Sequence, residues 1–212
     1  MIRPNTSQQR LNIWIPITEK EWARFKEGNP LHTTRITYEG SWQGDWVRSQ
    51  LQQRTEGYKG AVPTWGYFAP IFPSEIAGKI IADEISTDQS PRVVVNITVP
   101  ANRVLLMPNG MWSMIHDRMY VGKDDADQDR FGDLVYAHSN YSSNTLPREL
   151  VEQIYQSWDL ALDRMAARKG SIRHRKGYMI EAILGEIYME DVDTAIRLGT
   201  DFLQYPEYTP ED

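Results

Sequence analysis

Arg92-Val93-Val94-Val95-Asn96-Ile97-Thr98-Val99, enclosed by Pro91 and Pro100, is the stretch on which the fold turns. Nearly every residue in it is β-branched. Such side chains crowd a helix but sit well on a pleated surface, so the run reads as a strand. The flanking prolines stop the ladder, because proline has no N–H to donate. Other segments supply partners for it. Leu11-Asn12-Ile13-Trp14-Ile15-Pro16-Ile17 alternates as a short strand, with Pro16 suggesting a sheet edge or a strand end. Thr64-Trp65-Gly66-Tyr67-Phe68 is an aromatic strand that follows the breakers Gly57, Gly60 and Pro63. The run from Tyr178 to Tyr188 fits a strand or a helix; its β-branched and aromatic content, with Gly177 ahead of it, favours a strand. Val104-Leu105-Leu106-Met107 reads as a further short strand or strand end.

Helical periodicity fills the intervals. Thr18 is an N-cap with Glu21 three residues on, the pattern of a capping box. Trp22 and Phe25 then share one helical face, and Gly28 ends the element before an extended segment over 31–36. Residues 42–53 form a second helix with Trp42, Trp46 and Val47 on one side, and 111–120 a third with Trp112, Ile115 and Met119 inward. The strongest helix covers 145–167, where Leu150, Val151, Ile154, Trp158, Ala161, Leu162 and Met165 recur at helical spacing. Residues 191–198 read as a short closing helix. The fold class is therefore α+β: a mainly antiparallel sheet from strands near 11–17, 64–68, 92–99 and 178–188, with the 145–167 helix packed across it. Residues 1–10 are expected to be a flexible arm, 11–203 a single domain and 204–212 a proline-containing tail, while 69–91 is a loop-rich excursion.

Composition narrows the chemistry. The chain of 212 residues has no cysteine, which excludes a disulfide framework, a thiolate zinc site and a cysteine nucleophile together. It also fits a reducing compartment, so a cytoplasmic location is expected. The polar stretch 1–10 lacks the apolar core of a secretory signal, and no apolar run approaches the roughly 20 residues that a membrane span requires, so no membrane association is expected. A net charge of −6 disfavours broad coating of nucleic acid, although a local basic patch can still contact phosphate. The candidate patch is the run Arg168, Lys169, Arg173, His174, Arg175 and Lys176; its simpler role is to terminate the preceding helix, whose C-terminal dipole favours cations. Its other role would be contact with a protein or nucleic-acid target.

Familiar catalytic motifs are missing. There is no Walker loop, no Gly-x-Gly-x-x-Gly and no Gly-x-Ser-x-Gly elbow. His32, His116, His138 and His174 are scattered, with no two at ligand spacing, so no metal is expected. Asp125-Ala126-Asp127-Gln128-Asp129 has the alternating carboxylates of a calcium loop, but Arg130 and Tyr136 stand where glycine and glutamate are required; a solvated loop is the expectation. The aromatic residues beside glycine and proline, Trp42, Trp46, Trp65 and Tyr67, first of all build core, and they also mark where a groove could form.

Several spaced stretches, taken in order, carry a resemblance: Trp14-Ile15-Pro16-Ile17 with Trp22 and Gly28, Val62-Pro63-Thr64-Trp65-Gly66-Tyr67, Val95 to Pro100 with Val104-Leu105-Leu106, Ser157-Trp158, and Glu186-Ile187 through Val192. Over most of 11–198 the chain resembles the uncharacterised domain-of-unknown-function 3841 family of bacteria and their phages, a name that implies no activity. More distantly, the succession of strand, helix, Gly28, aromatic strand and a late strand bearing Glu186 is similar to NAD-consuming ADP-ribosyltransferases. That resemblance implies NAD as substrate, an aromatic residue (Tyr67 or Trp65) stacked on nicotinamide, and Glu186 as the acid that stabilises an oxocarbenium-like transition state. The first strand departs from the pattern, since it offers neither His nor Arg, and the role of holding ribose or phosphate falls to His32 or Arg35. Glu186 reads equally as a solvent-facing acid at a strand end. Two functions follow as expectations: an ADP-ribosyltransferase-like enzyme that modifies a macromolecule, or a non-catalytic protein that binds a partner through aromatic and basic surface.

Overall fold

A computed structural model describes residues 9–31, 41–68, 93–108, 110–138, 146–168, 180–198 and 204–208. The chain divides into two units, one made of Met1–Leu105 and Gly170–Asp212 and the other of Leu106–Lys169. The first carries most of a seven-stranded sheet in the order β4-β5-β2-β1-β3-β6-β7, whose first-named edge strand crosses the boundary between Leu105 and Leu106, and every pairing with a described register is antiparallel. Its strands are β1 (Arg10–Ile17), β2 (Thr64–Phe68), β3 (Val93–Pro100), β4 (Val104–Pro108), β5 (Ile180–Leu184), β6 (Val192–Leu198) and β7 (Gln204–Tyr208). The α+β class read from the sequence is the observed one.

β1 and β3 form the centre of the sheet. They pair along their whole length, from Arg10 opposite Pro100 to Ile17 opposite Val93. Side chains alternate between faces, so Leu11, Ile13, Ile15 and Ile17 share a face with Val99, Ile97, Val95 and Val93. All eight are essentially sealed from solvent, and each such burial is worth about 1.5–3 kcal/mol. Of the two readings of Pro16, the strand end is right and the edge is wrong. β1 lies between β2 and β3, and Pro16 stands next to last, where a missing N–H disturbs the ladder least. Gly66 is required by the same core face. A Cβ there would lie 2.8 Å from the Trp14 carbonyl oxygen and 2.9 Å from side-chain carbons of Ile13 and Ile15.

Helix α1 (Glu19–Lys26) starts with the expected capping box between Thr18 and Glu21 and buries Trp22 and Phe25. Gly28 follows at φ +88°, a left-handed conformation that costs glycine nothing. α2 (Trp42–Arg54) is capped by Ser41 and turns Val47 and Leu51 inward, leaving Trp42 and Trp46 half-buried. The extended segment expected over 31–36 lies, beyond Leu31, outside the described residues.

Two segments differ from the sequence reading in the first unit. Residues 192–198 are strand β6, not a closing helix, and 204–208 form strand β7 inside the segment read as a tail. Val192-Asp193-Thr194-Ala195-Ile196 is too short for its periodicity to decide, whereas the open side of β3 supplies a complete ladder. A bulge between Asn96 and Ile97 lets both Val192 and Ala195 be buried.

The second unit is helical: α3 (Met111–His116), α4 (Asp125–Ala137) and α5 (Arg148–Arg168). α5 buries Leu150, Ile154, Trp158, Ala161, Leu162 and Met165, as its spacing requires. Residues 125–129 are the first turns of α4 rather than a loop. Asp124 caps the helix by accepting from the Asp127 N–H, and Asp125 and Asp127 suit the positive end of its dipole. The carboxylates that looked like a cation loop are thus a helix start. Ser157 and Trp158 bind the connection between α3 and α4: Ser157 Oγ accepts from the Val121 N–H (2.9 Å), and Trp158 Nε1 donates to the Met119 carbonyl (2.8 Å). Among the described residues no helix is long and apolar enough to cross a membrane.

Candidate functional site

The face of the sheet opposite the aliphatic core is of a different character. Directly paired residues in antiparallel strands point to the same side, so the registers define a row across five strands: Glu181 of β5, Tyr67 of β2, Trp14 of β1, Asn96 of β3 and Thr194 of β6. Asn12 and Thr98, paired with each other, lie two residues along on the same face, and Trp65 flanks Tyr67 there. An aromatic centre is thus bordered by a carboxylate on one side and amides and hydroxyls on the other. Trp14 and Asn96 are each 6% exposed and Tyr67 is 5% exposed.

The amides are locked. Asn96 Nδ2 donates to Asn12 Oδ1 (2.8 Å), Asn12 Nδ2 returns a bond to Asn96 Oδ1 (3.1 Å), and Asn96 Nδ2 also reaches the Ile13 carbonyl (3.2 Å). Trp14 is not satisfied in this way. Its Nε1 is buried, with no acceptor among the described residues. A buried donor left without an acceptor costs about 1–3 kcal/mol. At the other side of Tyr67, Glu181 has its Oε2 shielded from water.

Glu186 is elsewhere. Leu184, which pairs with Thr64, is already three residues, or about 10 Å, along the ladder from the Tyr67–Glu181 pair, and Glu186 follows the end of the strand. Its carboxylate accepts from the Tyr188 hydroxyl (3.1 Å), a bond that also holds the Tyr188 pKa above its ordinary value. Its carbonyl accepts from Arg103 (3.2 Å), which forms a two-pronged contact with Asp191 at 2.8 and 3.3 Å. These bonds tie down the turn between β5 and β6. Tyr67 and Trp65 are therefore brought together with Glu181, whereas Glu186 stands at the strand end. His32 and Arg35 lie outside the described residues, as does the basic run after Arg168. Among the described residues no group of three or more metal-binding side chains occurs.

The run Tyr178–Tyr188 contains two glutamates, and only the register tells that Glu181 is the one facing Tyr67. Trp14 was read as a strand residue alone; nothing in a sequence reveals an unpaired indole N–H.

A family model described as Domain of unknown function (DUF3841) matches residues 41–192. The chain belongs to this family. No curated protein and no solved structure shows significant similarity to it. The matched residues contain Tyr67, Asn96 and Glu181 of the row and all of the second unit, while Trp14 and Thr194 lie outside them.

Proposed function

We propose that this member of the family is an ADP-ribosyltransferase-like enzyme that uses NAD to modify a macromolecule, and that its acid is Glu181. The unpaired Trp14 Nε1, in line with Tyr67 and Glu181, carries the reading. Nicotinamide matches those three groups chemically. Its carboxamide oxygen is an acceptor for the indole N–H, its ring stacks on the phenol of Tyr67 or on Trp65, and its ribose is where a carboxylate is needed. Cleavage of the bond between ribose C1′ and the nicotinamide nitrogen leaves the electron pair on nitrogen, so positive charge develops on the ribose. A fixed carboxylate in a water-poor site stabilises that charge more than the ground state. The target nucleophile then bonds to C1′ and gives up its proton. Arg35 and His32 remain the groups proposed to hold phosphate or ribose.

Labelled NAD, incubated with the protein and either a cell lysate or oligonucleotides, tests the reading. Glu181→Gln should abolish nicotinamide release and label transfer, and Glu186→Gln should leave both in place. If the unmodified protein neither consumes NAD nor melts at a higher temperature with it, the enzyme reading fails. The second reading, a non-catalytic partner-binding protein, draws on exposed apolar side chains of the helical unit, above all Tyr136 at 87% exposure. It gains if a stoichiometric partner is retained by the Glu181→Gln protein and lost on Tyr136→Ser.

A further inference from the structure

The helical unit holds a cavity of about 490 Å³. Its wall is apolar, from Met119, Phe131, Val135, Leu146 and Ile154, and Tyr120 lies flat on Phe131 with ring centroids 4.1 Å apart and planes 10° from parallel. Two polar groups of this wall are turned to the protein. The Tyr120 hydroxyl donates to Asp127 (2.9 Å), and Gln128 Oε1 accepts from the Gly122 N–H (2.8 Å). Apart from Asp117 and Arg118, what the cavity presents is therefore aromatic and aliphatic surface, in the size range of small-molecule sites.

Two backbone features mark it as more than a packing gap. Gly132 lies inside α4, where glycine is a poor helix former, and a Cβ on it would meet nothing within 4 Å. Local helix stability argues for a side chain at that position; an open space at the cavity wall is what glycine provides. Arg118, also on the lining, is the one described residue other than glycine with positive φ, at 55°. A turn there would form more easily with glycine or asparagine, so a strained arginine is kept for its side chain. Asp117, which lines the cavity beside Arg118, is contacted by the His116 ring at 3.0 Å.

We infer that this cavity binds a small organic anion with a flat apolar body, an aromatic carboxylate or sulfonate in chemical class. The body rests against the Tyr120–Phe131 stack, and the anionic group meets the guanidinium of Arg118. Gly132 keeps the wall open.

Two fluorescent probes that share one ring system test this on the full chain: 1-anilinonaphthalene-8-sulfonate, which is anionic, and N-phenyl-1-naphthylamine, which is neutral. Both should bind saturably at one site. Gly132→Leu should weaken both at least tenfold, with Gly132→Ala intermediate. Arg118→Gly should weaken the anionic probe several-fold and leave the neutral one unchanged. Neither Gly132 variant should melt below the parent, since alanine and leucine favour helix, and undiminished binding of the neutral probe by Arg118→Gly shows that its loss of anion binding is not a loss of fold. Unsaturable binding, or binding insensitive to both Gly132 variants, overturns the site. Equal weakening of both probes by Arg118→Gly overturns the anionic class.

Discussion

A methyl group added at Gly66 tests the central packing of the sheet and the side on which Tyr67 projects. In Gly66→Ala the new carbon would sit 2.8 Å from the carbonyl oxygen of Trp14 and 2.9 Å from carbons of Ile13 and Ile15. The first contact is the worst, because Trp14 belongs to the strand held by β2 on one side and β3 on the other, and its backbone cannot withdraw without breaking pairs. Overpacking of this kind costs about 1–3 kcal/mol. Against it stands about 0.5–1 kcal/mol from replacing glycine inside a strand. Because the worst contact is with backbone, the upper part of the overpacking cost applies, about 2–3 kcal/mol; the net expectation is a loss of about 1–2.5 kcal/mol, and at about 2–4 °C per kcal/mol for a domain of this size the melting midpoint should fall by about 2–10 °C. Calorimetric melting and urea unfolding of parent and variant measure it directly. A variant as stable as the parent would show that β2 does not approach β1 this closely, and the row containing Tyr67 and Glu181 would lose its basis.

Acid should weaken the helical unit through Asp127. Its carboxyl is held down to about 2 by Arg130, then by the Lys123 N–H and the Tyr120 hydroxyl. A group whose pKa is depressed by folding contributes stability that is complete above its unfolded value of 3.8 and is lost as pH falls towards 2. Melting followed between pH 5 and 2 should decline over that window, and Asp127→Asn should flatten the decline; a parallel profile in the variant would contradict the assignment. Ser157→Ala should cost about 1–2 kcal/mol, because it strips the Val121 N–H of its acceptor, and an unchanged denaturation midpoint would show that water replaces the hydroxyl. Trp14→Phe removes the unpaired donor while keeping an aromatic ring, so it should abolish any shift of the melting temperature by NAD without lowering that of the free protein by more than about 2 kcal/mol equivalent; an NAD shift that survives the change would remove the indole from the site.

How much of this was legible beforehand depended on how local the deciding interaction is. The strand 93–100, the capping box at Thr18 and the apolar stripe of α5 were readable because each is written within one turn or one short run: β-branching, a hydroxyl and carboxylate three residues apart, a 3.6-residue recurrence. The start of α4 was also written locally, in Asp124 and the acids after it, but the same residues spell a cation loop, and the cap was overlooked. β6 was not readable. Seven residues carry too little periodicity, and the open edge of β3 settled the matter.

The site depended on pairing even more. The sequence determined that an aromatic strand and a glutamate-bearing strand exist, because their composition is local. It did not determine which glutamate meets Tyr67. Side chains in a strand change faces at every residue, so the choice between Glu181 and Glu186 rests on the register of β2 against β5. The unsatisfied indole of Trp14 and the space beside Gly132 belong to the same kind of fact. Each is a relation among segments far apart in the chain, and such relations arise only when the segments pack.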